Sequence, residues 1–271
     1  MTLHSFFFIL SGGFVTGILG ALLGIGGGVF FIPYLVLFLN IPIHQAIATG
    51  IVSVIATSSA AASVNVERKF TNIRLGMVLE VATTIGAILG GVSANVLSGS
   101  ALSKIFGILL FVVAFLMIRR IRLGEGDARS TEDQGWLRGA YYDPAIQKEV
   151  KYTVRRVPLG LTISFLAGNL SGLLGIGGGV IKVPAMNLFC AVPMKAATAT
   201  SNFMIGVTAV ASAFIYYAHN QIHPVITSTA VIGVLFGSMV GTTISAKVSA
   251  RTITLIFTVV LLILALLMIL R

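Results

Sequence analysis

Ten apolar stretches occupy most of this chain and restrict it to one class of fold. They run at about Phe6–Leu23, Val29–Leu39, Ala46–Val64, Leu75–Leu97, Leu102–Ile118, Leu159–Leu174, Val180–Val192, Ala196–Ala218, Val225–Ala246 and Ile253–Leu270. Crossing a bilayer as a helix takes about 20 residues, and in hydrocarbon every backbone N–H and C=O must find its partner inside the protein. Most of the stretches meet that length. Two do not, Val29–Leu39 and Val180–Val192, and both follow a glycine run, so they read as half-helices or re-entrant pieces. The expected class is an all-α membrane protein. Only 10% of the 271 residues are charged, where a soluble domain carries about a quarter.

The chain repeats itself. At an offset of 151 residues, Gly24-Ile25-Gly26-Gly27-Gly28-Val29 falls on Gly175-Ile176-Gly177-Gly178-Gly179-Val180, Pro33 on Pro184, Pro42 on Pro193 and Thr49 on Thr200. From Leu10 to Gly50, 19 of 41 positions are identical without a gap. Such internal repeats in a membrane chain point to transporter architecture. Three parts are expected: a first transmembrane repeat over 1–120, a linker over 121–156 and a second repeat over 157–271. The stretch from Arg119 to Arg156 holds nine of the eighteen Lys and Arg and all the acids except Glu67 and Glu80; it reads as a solvated connection, with regulation as the minor alternative.

Charge placement orients the copies. Arg68, Lys69 and Arg74 lie between the third and fourth stretches, where the second copy has His219-Asn220-Gln221-Ile222-His223. One connection later the bias reverses: Ser98-Gly99-Ser100 stands in the first copy, Lys247 and Arg251 in the second. An inverted repeat predicts this flip, since Lys and Arg collect on the cytoplasmic side. With the linker in the cytoplasm, Lys195 also falls inside, Lys104 and Arg271 outside, and both termini are external. Each repeat is then a broken-helix hairpin plus three transmembrane helices. Two short arms or two full crossings fit the hairpin equally, giving eight or ten segments. The start of the chain has no basic n-region and reads as a first membrane segment. The net charge of +10 is spread over segment ends and the linker, which is not a nucleic-acid footprint.

The hairpin tips are the candidate site. Glycine lets the backbone approach a ligand closely, and the short helix after each run offers free N–H groups and a positive dipole end. Gly26, Gly27, Gly28 and Val29 in one copy, and Gly177, Gly178, Gly179 and Val180 in the other, could cradle a small anion. Alternatively the glycines only let helices pack, as expected for Gly20-x-x-x-Gly24, Gly86-x-x-x-Gly90, Gly168-x-x-x-Gly172 and Gly237-x-x-x-Gly241. Lys182 stands just after the second tip, where the first copy has Phe31. A cation at a helix start is disfavoured unless an anion shares the site, so it either contacts substrate or snorkels to an interface. Glu80, the only acid inside an apolar stretch, could carry a coupled proton, pair with Lys182, or reach the interface. Thr49, Thr200, Ser201 and Asn202 could donate to an oxyanion or simply bond their own helix.

The duplicated Gly-x-Gly-Gly-Gly-hydrophobic-Pro signature, carried by Gly24–Pro33 with Ala46–Thr49 and by Gly175–Pro184 with Ala197–Asn202, resembles the sulfite exporter TauE/SafE family. The resemblance spans nearly the whole chain but not the linker. It implies export of a small sulfur-containing anion such as sulfite or an organosulfonate across a prokaryotic inner membrane. Residues alone reach only an anion transporter working by alternating access, with an anion channel using the same tips as the alternative. Enzyme readings find no support: His-Glu-x-x-His, Gly-x-Ser-x-Gly, a Walker A run and a dinucleotide fingerprint are all missing. Cys190 is a lone cysteine, so no cysteine zinc cage or internal disulfide can form. No catalytic residue, cofactor or metal is expected; the expected partners are the bilayer, a small anion and a coupling proton.

Overall fold

The structure, a computed structural model, describes residues 3–23, 26–123, 137–143, 147–244 and 250–270. Within them the chain forms ten helices and one β-hairpin: α1 (Leu3–Leu23), α2 (Gly28–Leu39), α3 (Ile43–Glu67), α4 (Ile73–Val96), α5 (Gly99–Leu123), β1 (Arg138–Asp143), β2 (Lys148–Thr153), α6 (Val157–Leu174), α7 (Gly179–Leu188), α8 (Met194–Ala218), α9 (Pro224–Ile244) and α10 (Ala250–Leu270). Six of the helices are long and apolar enough to cross a bilayer among the described residues: α1, α3, α4, α6, α8 and α9. The protein is an all-α membrane protein in its spanning part. Gly24, Ile25, Lys247 and Arg271 lie outside the described residues, as do residues 124–136 and 144–146 of the linker.

The hairpin arms are unequal, which neither sequence alternative had. The first arms, α1 and α6, have 21 and 18 residues; the second arms, α2 and α7, have 12 and 10. At about 1.5 Å per residue the second arms reach only partway through a hydrocarbon core. Each ends early because Asn40 or Ala191, both at positive φ, turns the chain into Pro42 or Pro193, the N-caps of α3 and α8.

Helices pack across the copies. The main pairs are α4 with α6, α1 with α9, α5 with α10 and α3 with α8. Glycine makes the closest of these contacts possible: a Cβ on Gly86 or Gly90 would collide with the backbone of Phe165 or Asn169, and one on Gly237 or Gly241 with that of Phe14 or Ile18. Phe14 and Phe165 are equivalent in the repeat, as are Ile18 and Asn169, so the same contact occurs twice with the copies exchanged. These are the small-residue contacts that membrane helices use, and they match the packing role expected of the two glycine pairs.

The described part of the linker, expected as a solvated connection, includes a hairpin with one face exposed and one buried. Strands β1 and β2 pair antiparallel with Tyr141 opposite Val150 and Gly139 opposite Tyr152. Alternation puts Leu137, Tyr141, Val150 and Tyr152 on one face, and this face is buried with Phe70, Leu75, Leu79 and Cys190. Phe70 meets Tyr141 edge-on at 5.5 Å between ring centroids. Gly139 leaves the space that the Tyr152 ring fills. Beyond the strand, Arg155 N–H donates to the Cys190 carbonyl at 3.0 Å. The period-2 signal was present at residues 137–141 and 150–154, though diluted by the surrounding charge.

Candidate functional site

Each tip is shaped by left-handed backbone. Gly26 and Gly27 have φ of +84° and +67°, and Gly177 and Gly178 +77° and +70°, values that residues with a Cβ rarely adopt. Gly27 and Gly178 are the N-caps of α2 and α7, and no side chain caps either start. Phe31 N–H donates to the Gly27 carbonyl at 3.2 Å and Lys182 N–H to the Gly178 carbonyl at 3.1 Å, the same first turn twice over.

The tips come together against the midpoints of α3 and α8. A Cβ on Gly26 would lie 3.2 Å from a Val54 methyl and 3.6 Å from one of Ile205; on Gly177 the same two methyls would stand at 2.9 and 2.7 Å. Val54 and Ile205 are equivalent in the repeat. A Cβ on Gly28 would lie 2.9 Å from the Gly175 carbonyl of the other tip. Gly28, Val29, Gly179 and Val180 are all buried.

One feature breaks the exchange. Lys182, 1% exposed, leans back along α7 so that its Cε lies 3.1 Å from where a Gly178 Cβ would be, the direction helical side chains favour. Its Nζ donates to Thr208 Oγ1 at 3.1 Å, and the Thr208 hydroxyl donates to Glu80 Oε1 at 2.6 Å. Thr84 donates to the same oxygen at 3.2 Å. Lys182 Nζ and Glu80 Oε2 stand 3.9 Å apart, and Oε2 has no hydrogen-bond partner among the described residues. At the positions of Lys182, Thr208 and Glu80 in the exchanged arrangement stand Phe31 and Thr57 of the first copy and Val231 of the second. Glu80 is paired with Lys182 and does not reach an interface: it is buried at 7% exposure, and α4 brings it beside Lys182. Lys182 likewise does not snorkel.

The polar residues beside the tips divide. Thr49 Oγ1 lies 3.3 Å from Thr227 Oγ1, joining α3 to α9. Thr200 Oγ1 accepts from the Asn72 N–H at 2.9 Å, and Asn72 Oδ1 accepts from Leu75 N–H at 3.1 Å, so Thr200 secures the start of α4. Ser201 Oγ is buried without a partner among the described residues. Asn202 lines a cleft of about 260 Å³ between α3 and α8, with Ser58, Ser59 and Gly206. Sequence reasoning passed over Thr208, Thr84 and Thr227. Thr208 carried a signal: Thr200, Thr208 and Ser212 recur on one face of α8 at helical spacing. Replacing Thr200 with Val is expected to lower the thermal midpoint by leaving the Asn72 N–H unpaired, a loss of about 1–3 kcal/mol. Thermal unfolding of the purified variant measures it.

The sulfite exporter TauE/SafE family profile matches residues 9–268. The chain belongs to this family. Among curated relatives of this TauE/SafE chain, the Probable membrane transporter protein YunE of Bacillus subtilis is 26% identical over 246 residues, covering 86% of each chain. A Probable membrane transporter protein of Xylella fastidiosa is 26% identical, over 88% of this chain and 84% of its own. The Probable membrane transporter protein MJ0441 of Methanocaldococcus jannaschii is 27% identical, over 77% and 71%. No solved structure matches this chain. Family and relatives are named as membrane transporters, and this TauE/SafE protein is a multi-pass membrane transporter.

Proposed function

We propose that this protein is a secondary transporter that exports a small sulfur-containing anion such as sulfite or an organosulfonate. Its halves, 1–120 and 157–271, act as inverted repeats that rock around the two glycine tips, with the 121–156 linker cytoplasmic. The observation that carries the reading is the convergence of two uncapped helix starts with one buried Lys–Thr–Glu cluster. Helix starts and a lysine favour negative charge, and transporters with broken helices bind substrate where such starts meet. The family supplies sulfur; the tips supply preference for an anion.

Glu80 gives the cluster a second task. An anionic substrate near Lys182 competes with the carboxylate for the same cation. Protonating Glu80 would release Lys182 to the substrate, which links proton movement to anion movement. Val54 and Ile205 then act as the apolar floor that separates the two access paths. Tracer flux of sulfite into proteoliposomes, with and without a pH gradient, tests this. Saturable uptake that responds to the gradient and is stimulated by sulfite on the opposite side is the expected result. Flux without saturation or trans-stimulation would mean a channel, and absence of flux with a folded preparation would remove sulfite.

A further inference from the structure

A second basic site lies outside the tips, where the linker hairpin meets the α3–α4 connection. A cavity of about 230 Å³ opens there, lined by Lys69, Arg74 and Arg138 together with Thr71, Asn72 and Tyr152. At about 30 Å³ per water molecule, it has room for a tetrahedral oxyanion with part of its hydration shell. No carboxylate lines it among the described residues. The three cations come from two segments: Lys69 and Arg74 flank the start of α4 and Arg138 stands on β1. The docking of the hairpin brings Arg138 to the other two.

Three further observations point to a ligand. Thr71 Oγ1 is shielded from solvent and has no hydrogen-bond partner among the described residues, and such groups usually find one. Tyr152, 5% exposed, has its phenol pushed up by burial, against a smaller lowering by its Asn72 hydrogen bond; its hydroxyl can donate a hydrogen bond to an anion. Lys69 holds a left-handed conformation at φ +58°, which costs a residue with a Cβ about 1–2 kcal/mol. Helices commonly place Gly or Asn there, and the equivalent residue of the second copy is Asn220 at φ +55°. Lys69 stands where asparagine would be easier.

We propose that this cavity is a phosphoryl-anion site, taking a phosphate group presented either by a small soluble molecule or by an anionic lipid headgroup. Arginine forks match phosphate oxygens two at a time, and lysine adds a point charge. The site is independent of the tips: its residues lie on the hairpin and the α3–α4 connection, and Lys182 and Glu80 are not among them.

The test is equilibrium binding of radiolabelled inorganic phosphate to the full chain in phosphatidylcholine nanodiscs. A triple variant, Lys69→Asn, Arg74→Gln and Arg138→Gln, removes the cations from exposed positions and gives residue 69 the residue of the second copy. Saturable binding by the native chain, weakened at least about tenfold in the triple variant and unchanged in the Lys182→Met, Glu80→Gln pair, is the expected result and marks a soluble ligand. Phosphatidylglycerol retained through purification by the native chain but not by the triple variant marks a lipid headgroup and supports the same site. Equal phosphate binding and equal lipid retention in native and triple-variant protein overturn it, as does binding lost only in the Lys182 and Glu80 pair, which would place the anion at the tips.

Discussion

Lys182→Met is expected to reduce sulfite flux to background and to destabilise the protein, while adding Glu80→Gln is expected to restore stability but not flux. The two side chains are buried against each other with Thr208 between them. Removing one member of a buried ion pair strands the other charge and costs about 3–5 kcal/mol, whereas replacing both with neutral groups of similar size is often neutral or stabilising. A transport role predicts no matching recovery of flux, because the pair of neutral residues supplies neither the cation for an anion nor the carboxylate for a proton. Thermal unfolding and tracer flux on the two single variants and the pair give both readouts. A pair of substitutions that transports like the native chain would reduce the cluster to a packing device.

Gly27→Ala and Gly178→Ala are each expected to cut transport more than tenfold, with a smaller effect on stability. Both glycines are helix N-caps at positive φ, where a Cβ costs about 1–2 kcal/mol. There is also no room: the new methyl would lie 2.8 Å from the Thr16 carbonyl at residue 27, and 2.9 Å from the Ala167 carbonyl at residue 178. The turn must shift, and with it the first N–H groups of α2 or α7. Gly13→Ala supplies the contrast. Its Cβ would stand 3.0 Å from the Ala230 carbonyl on α9, a helix-packing position with no part in the tips. It should lower the thermal midpoint and leave flux per folded molecule near native. Normal flux in both tip variants would assign the glycines to packing alone.

How much of this was legible in the sequence varies with the range of the interaction. Helix positions were, because hydropathy and breakers act locally: Pro42 and Pro193 open α3 and α8, and the short second arms show in the apolar lengths. The left-handed tips were legible too, since only runs such as Gly26-Gly27 suit consecutive positive φ. Thr200 was legible as a buried polar group but not as an acceptor for the Asn72 N–H, because its partner lies on a different helix. The hairpin at 138–153 was obscured by its many charges.

The sequence by itself determined the class of solvent, the repeat, the short second arms and the glycine turns, for these follow from transfer energies and backbone sterics along a few residues. Tertiary structure decided which charges meet. Glu80 and Lys182 are far apart in the chain, and they pair only because small residues let α4 lie tightly on α6 while α7 packs against α8. In the same way Lys69, Arg74 and Arg138 form one cavity only when the aromatic face of the hairpin docks on Phe70. Such contacts depend on close packing between distant segments, which no local pattern encodes.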